Sequence, residues 1–138
     1  MTPTVPATHL DLLENPIVVT LATLTPESAP HLAAVWRRWD GTHMRITSDR
    51  QVKKIRNIAV HKTVAVMALD PANPYRYLVM EGIVEQMTAE GALDELNRHT
   101  QMYMGQPRYY GAAEPVEKEA SYDGVQIVIR PTHFIKIG

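Results

Sequence analysis

Three strand-like runs follow one another within the first 47 residues with only turns between them, and this restricts the fold more than any other feature. Residues 17–24 (IVVTLATL) are apolar and β-branched, as in a buried strand. Thr25, Pro26, Glu27, Ser28 and Ala29 supply turn chemistry. Residues 31–39 (HLAAVWRRW) read as a second strand, with Leu32, Ala34, Trp36 and Arg38 on one face and Trp39 opposite Trp36. Asp40-Gly41 is a hairpin signal, and residues 43–47 return as a third strand. Such short connections join antiparallel neighbours, because a parallel crossover needs a dozen or more residues.

The rest of the chain extends this meander. Residues 1–8 carry two prolines and read as a loose arm, followed by a short helix over 9–15 that Thr8 caps and Pro16 ends. A helix is expected over 51–60, with Val52, Ile55, Ile58 and Ala59 at helical spacing. A strand over 63–69 leads into a rigid loop, Asp70-Pro71-Ala72-Asn73-Pro74. The next strand spans 75–87, with Gly82 at a bulge or bend. Thr88 then caps a helix over 89–104 that ends at Gly105 and buries Leu93, Leu96, Thr100 and Tyr103. Residues 106–121 are irregular, and 122–137 form a last strand interrupted near Pro131. The expected fold is mainly β, a six-stranded antiparallel barrel with short helices, built as one domain from residues 1–138.

Several function classes are disfavoured at once. There is no cysteine, hence no disulfide scaffold, no thiolate metal site and no cysteine nucleophile. The net charge of −1 provides no basic field for nucleic acid. No apolar run approaches the roughly 20 residues of a membrane span, and the N-terminus does not read as a signal peptide, so a cytoplasmic protein is expected. The six histidines show no ligand spacing, and no metal site is expected. Ser28, Ser48 and Ser121 lack a nucleophile elbow, and no glycine-rich dinucleotide or phosphate loop is present. No catalytic constellation emerges, so any chemistry belongs to a cofactor.

Two features could hold one. SDRQVKKIRN, residues 48–57, places hydroxyls and four cations (Arg50, Lys53, Lys54, Arg56) at the start of a helix. It is either a phosphate site or a solvated basic face. Tyr75 and Tyr77 flank Arg76 on one strand face, and Tyr103, Tyr109 and Tyr110 cluster after the long helix. These aromatics are either packing, at the core or a dimer interface, or a wall for a planar ring.

Taken in order, residues 17–24, Pro30, Val35-Trp36, Asp40-Gly41, Ile46-Thr47-Ser48 and Lys53-Lys54-x-Arg56-Asn57 resemble the pyridoxamine 5'-phosphate oxidase-like split β-barrel proteins, a superfamily of flavin- and deazaflavin-dependent oxidoreductases. Leu69 to Tyr77 (LDPANPYRY) and Glu81-Gly82 look like the branch that uses the deazaflavin coenzyme F420. The resemblance implies an FMN-binding type of barrel and a homodimer with cofactors in grooves between the subunits. It implies that Lys53 and Lys54 hold the cofactor phosphate beside Ser48, Arg50 and Asn57. The ring would lie against Ala33 to Val35 and Ile46 to Thr47, with Tyr75 and Tyr77 closing the site from the partner. Trp36 and Arg37, bulkier and more basic than the family pattern, would shape a substrate groove. The turn carries Glu27-Ser28-Ala29 where the family has a glycine. The implied function is hydride transfer between F420 or FMN, with F420 favoured, and a small organic substrate. The alternative is a non-catalytic carrier of flavin, deazaflavin or haem.

Overall fold

The computed structural model describes residues 3–138. The strand-forming runs become β1 (Val19–Leu24), β2 (Pro30–Val35), β3 (Arg38–Trp39), β4 (Met44–Asp49), β5 (Thr63–Leu69), β6 (Tyr77–Thr88) and β7 (Gly124–Ile137). All pair antiparallel in one curled sheet of order β2-β1-β5-β6-β7-β4-β3, a mainly-β split barrel. Strands β1 and β5 alternate buried and more exposed residues, which is the period-2 signature of a sheet with one face on the core. The core gathers Val19, Leu21, Met44, Ile46, Val64, Val66, Leu78, Met80, Ile127 and Ile129 from that inner face.

The sheet has seven strands where six were expected, because the run over 31–39 is divided at Trp36-Arg37. Arg37 is fully buried. Its Nη2 donates to the Leu12 carbonyl at 2.8 Å and to the Asn15 carbonyl, and so fastens the end of α1 (Asp11–Glu14) to the break. Val35 and Arg37 are both buried and Trp36 between them is less so, so the alternation continues through the break and what stops there is the strand pairing.

The long β6–β7 pair sets the curl. Its register shifts between Glu81 and Gly82 and again between Val84 and Gln86. A Cβ at Gly82 would lie 2.6 Å from Ile129 Cγ2 and 2.8 Å from the Arg130 carbonyl oxygen, so only glycine fits the bulge.

Two helices cover the sheet. Helix α2 (Lys53–Val60) buries Ile55, Asn57 and Ile58, while Ala59 is exposed. Helix α3 (Ala92–Met104) buries Ala92, Glu95, His99 and Thr100, so its inner face is more polar than the expected Leu93 and Leu96. The reason is Arg38, whose Nε and Nη2 donate to the two Glu95 carboxylate oxygens at 2.8 and 2.7 Å. His99 Nε2 lies 3.1 Å from the same carboxylate. Thr88 remains in β6, and Gly91 precedes the helix instead.

The N-terminal arm differs from the expectation over its described part. Val5 packs on the core, and buried His9 donates from Nε2 to the Ile137 carbonyl at 3.0 Å. Met1 and Thr2 lie outside the described residues.

Candidate cofactor-binding cavity

Strand β4 ends where Arg50 meets Asp123. The Arg50 amide donates to the Asp123 carbonyl at 3.0 Å, and Arg50 Nε lies 2.9 Å from Oδ1. This closure sets the end of β4 beside the loop that precedes β7. Within that loop Gly111, at φ 104°, permits a tight turn in which the Ala112 and Ala113 amides donate to the Tyr109 carbonyl. The result is a cavity of about 390 Å³. Thr47, Ser48 and Asp49 line it from β4, Val52 and Lys54 from around α2, Leu96 from α3, and Tyr109, Tyr110, Glu114, Lys118, Ser121 and Tyr122 from the loop.

One wall is aromatic. Trp36 stacks on Tyr103 with centroids 5.1 Å apart and planes 10° apart, and meets Tyr109 edge-on at 6.4 Å. Tyr109 contacts Tyr110 at 5.2 Å, and Tyr110 contacts Tyr122 at 6.0 Å, both edge-on. Such contacts fix ring orientations.

The polar groups are distributed unevenly. Lys54 is half-buried and makes no ion pair among the described residues; burial lowers its pKa, and Asp49 partly counters this. Lys118, by contrast, sits 3.1 Å from Glu114. Burial, then the neighbouring Tyr110 and Asp49, push the Tyr122 phenol up to about 12. Its hydroxyl therefore stays protonated at neutral pH, and it is buried without a hydrogen-bond partner. The Tyr122 hydroxyl packs on Gly124, while the unpaired Lys54 ammonium and Ser48 line the same space as the tyrosine rings and fit an oxyanion beside a planar ring.

Two other grooves fit that ligand less well. One of about 260 Å³ is lined by Thr25, Pro26, Glu27, Lys53, Arg56 and Asn57, with no aromatic wall. The other, about 580 Å³ and largely apolar, includes Val5, Leu10, Trp39, His43, Glu85 and Arg130. Its one arginine is already held by Glu85 at 2.8 Å. Among the described residues no group of three His, Asp or Glu side chains could hold a metal.

The comparisons with known proteins agree with this architecture. The pyridoxamine 5'-phosphate oxidase family model matches residues 5–136. The chain belongs to this family. A solved F420 reductase is 36% identical and superposes with a TM-score of 0.82, covering 95% of this chain and 98% of that one. A conserved hypothetical protein from Mycobacterium tuberculosis is 21% identical, with a TM-score of 0.76 over 99% of this chain and 86% of that chain. HutZ, the haem storage protein of Vibrio cholerae, is 12% identical, with a TM-score of 0.69 over 94% of this chain and 92% of that chain. At that identity the last two show the fold alone. No curated protein sequence matches the chain.

Within this pyridoxamine 5'-phosphate oxidase-family barrel the expected site residues separate. Thr47, Ser48 and Lys54 line the tyrosine-walled cavity. Lys53 and Asn57 face the smaller groove, because adjacent helix positions point about 100° apart while positions three and four apart share a face. Asn57 is buried and donates from Nδ2 to Thr23 Oγ1 at 3.0 Å. Arg50 is occupied by Asp123 on the surface. Ile46 and Val35 have their side chains in the core, and Ala33 lies on the β2 edge strand; none of the three lines the cavity.

Arg37 lines no groove, being fully buried beneath α1. Trp36 reaches the cavity wall through Tyr109. Tyr75 is 82% exposed and precedes β6 rather than belonging to it, so it shares no strand face with Tyr77. The loop hydrogen bonds end the strand there: Arg76 N donates to the Asn73 carbonyl at 3.0 Å, and Tyr75 N to Asn73 Oδ1 at 3.1 Å. Tyr122 was missed by the sequence reading. It lies at the start of an expected strand, where a tyrosine looks like ordinary packing.

Proposed function

We propose that this chain is a flavin-type oxidoreductase that uses the deazaflavin coenzyme F420 in preference to FMN and acts on a small organic substrate. The observation that carries the reading is one cavity lined by Lys54, which makes no ion pair among the described residues, by Ser48 and by Tyr109, Tyr110 and Tyr122. The F420 reductase, similar along nearly the whole chain, supports the deazaflavin choice. When bound, such a ring supplies hydride transfer, which no side chain here could supply.

The protein's own residues bind, orient and exclude water. Lys54 and Ser48 hold the phosphate by charge-assisted hydrogen bonds. Tyr109, Tyr110 and Tyr122 would form the wall for the ring, with phenols that burial keeps protonated across the neutral range. A homodimer completes the groove. The exposed Leu32, Met67, Leu69, Ile135 and Ile137 support it, because they leave a broad apolar sheet face without cover in one subunit.

The test separates the two lysines. Lys54→Ala weakens F420 or FMN binding by about 10- to 100-fold, the loss expected for one or two charge-assisted bonds. Lys53→Ala leaves binding within about twofold, because its side chain faces the other groove. Equal losses from both would remove the cavity from consideration. A carrier without turnover predicts something else: in stopped flow, no acceptor reoxidises the bound reduced cofactor faster than the free one.

A further inference from the structure

Tyr109 lies on the irregular loop between α3 and β7, yet both of its backbone groups are engaged. Its amide donates to Asn97 Oδ1 at 3.0 Å, and its carbonyl accepts from the Ala112 and Ala113 amides at 3.1 and 2.9 Å. Helix α3 holds the loop a second time, where Gln101 Nε2 donates to the Pro107 carbonyl at 3.1 Å. With the backbone pinned, the ring is placed by its neighbours Trp36 and Tyr110, both edge-on. Trp36 is in turn stacked on Tyr103. Tyr103 is fastened at its far end: its hydroxyl donates to the Ile17 carbonyl at 2.7 Å and accepts from the Arg37 amide at 3.2 Å. Tyr109 lines the cavity, whereas Asn97, Trp36 and Tyr103 do not.

We propose that Asn97 and Tyr103 are positioning residues for the cofactor ring: neither lines the cavity, and both act by holding Tyr109 in one orientation. The inference rests on the cofactor reading above and goes beyond it by assigning residues outside the cavity. A tyrosine on an unpinned loop samples several rotamers and must be ordered when a ring packs on it, which subtracts from affinity. Helix α3 does that ordering in advance, from the main-chain side through Asn97 and from the ring side through Tyr103 and Trp36. Two roles divide within the Tyr103 side chain. Its hydroxyl ties α3 to Ile17 and to the break between β2 and β3, and so bears on stability. Its ring backs Trp36, and so bears on the cavity wall.

The experiment measures F420 and FMN affinity by quenching of ring fluorescence, together with the thermal midpoint, for the full-length protein and its Asn97 and Tyr103 variants. Asn97→Ala weakens binding about threefold to tenfold, the loss expected when one rotamer-rich side chain must be ordered on binding. Asn97→Asp keeps the acceptor for the Tyr109 amide and stays within about twofold of wild type at about 0.5 M salt, where the added charge is screened. Tyr103→Phe lowers the thermal midpoint but keeps affinity within about twofold, because the ring stack survives the loss of the hydroxyl. Tyr103→Leu weakens binding by about tenfold and shifts the emission of Trp36, read in a Trp39→Phe background. Should Tyr103→Leu fail to fold, the Asn97 pair decides, since that side chain is half-buried on a helix. Wild-type affinity in Asn97→Ala overturns this proposal and leaves the cofactor reading standing. Equal losses in Asn97→Ala and Asn97→Asp, or in Tyr103→Phe and Tyr103→Leu, overturn it as well, because the hydrogen bond and the stack would not then carry the effect. A wild type that binds neither F420 nor FMN overturns both.

Discussion

At the scale of single residues, the largest departures from local expectation sit at Ser28 and in the Glu95 cluster. Ser28 has φ 67°, the left-handed region, in the turn where Ser28 N donates to the Thr25 carbonyl at 2.8 Å. The family's usual glycine would occupy that conformation without strain. Ser28→Gly is therefore expected to stabilise the fold by about 1 kcal/mol, measured by urea unfolding; a loss of stability would show that the serine is not strained.

Glu95 is held down to a pKa of about 2 from an ordinary 4.5. Burial opposes its ionisation, and the hydrogen bonds from Arg38, with His99 close beside the carboxylate, overcome that penalty. A depressed carboxyl stabilises the fold above its unfolded pKa, and that contribution is lost as pH falls from about 4.5 toward 2. Glu95→Gln should flatten the acid limb of the stability profile over that window. Arg38→Ala should cost about 3–5 kcal/mol at pH 7, because it strands a buried carboxylate. The sequence could not reveal this cluster. Glu95 and His99 on an amphipathic helix read as solvent-facing until Arg38 is known to lie beneath them.

The elements show where periodicity suffices and where it fails. Strands β1, β4 and β5 were legible because β-branched and apolar alternation has no competing interpretation there. The bulge at Gly82 was legible too, from a glycine inside a strand pattern. Gly82→Ala should cost about 1–3 kcal/mol as the new Cβ meets the β7 backbone, and thermal unfolding of an otherwise folded protein checks it. The break between β2 and β3 was not legible. It depends on carbonyls of α1 that accept from Arg37, a contact across more than 20 residues. The loop at Asp70 to Arg76 was recognisable as rigid by its prolines. Its wider role was not: Arg76 also reaches Asp11 at 2.6 Å and the Thr8 carbonyl at 2.7 Å, and ties the loop to the N-terminal arm.

For the whole molecule, the sheet's outer surface is the feature with most at stake. Register places Thr20 beside Met67, Met67 beside Val79 and Val79 beside Ile135, a row that crosses four strands. Sedimentation should give a dimer at micromolar concentration, and Ile135→Asp should shift it to monomer and weaken cofactor retention. A wild type that sediments as a monomer would refute the shared groove. Half of the candidate site followed from the order of motifs, which brought Ser48 and Lys54 into view together. The tyrosine half depended on the loop over 106–121, whose turns no periodicity announces.

The molecule's two tryptophans occupy separate neighbourhoods. Trp36 is stacked in the aromatic wall, whereas Trp39 meets Phe134 edge-on at 6.4 Å and borders the apolar groove. The protein thus carries a built-in optical gauge. Emission from Trp36 should report occupancy of the cavity while Trp39 serves as a reference, so Trp39→Phe isolates the binding signal and Trp36→Phe sharply reduces it.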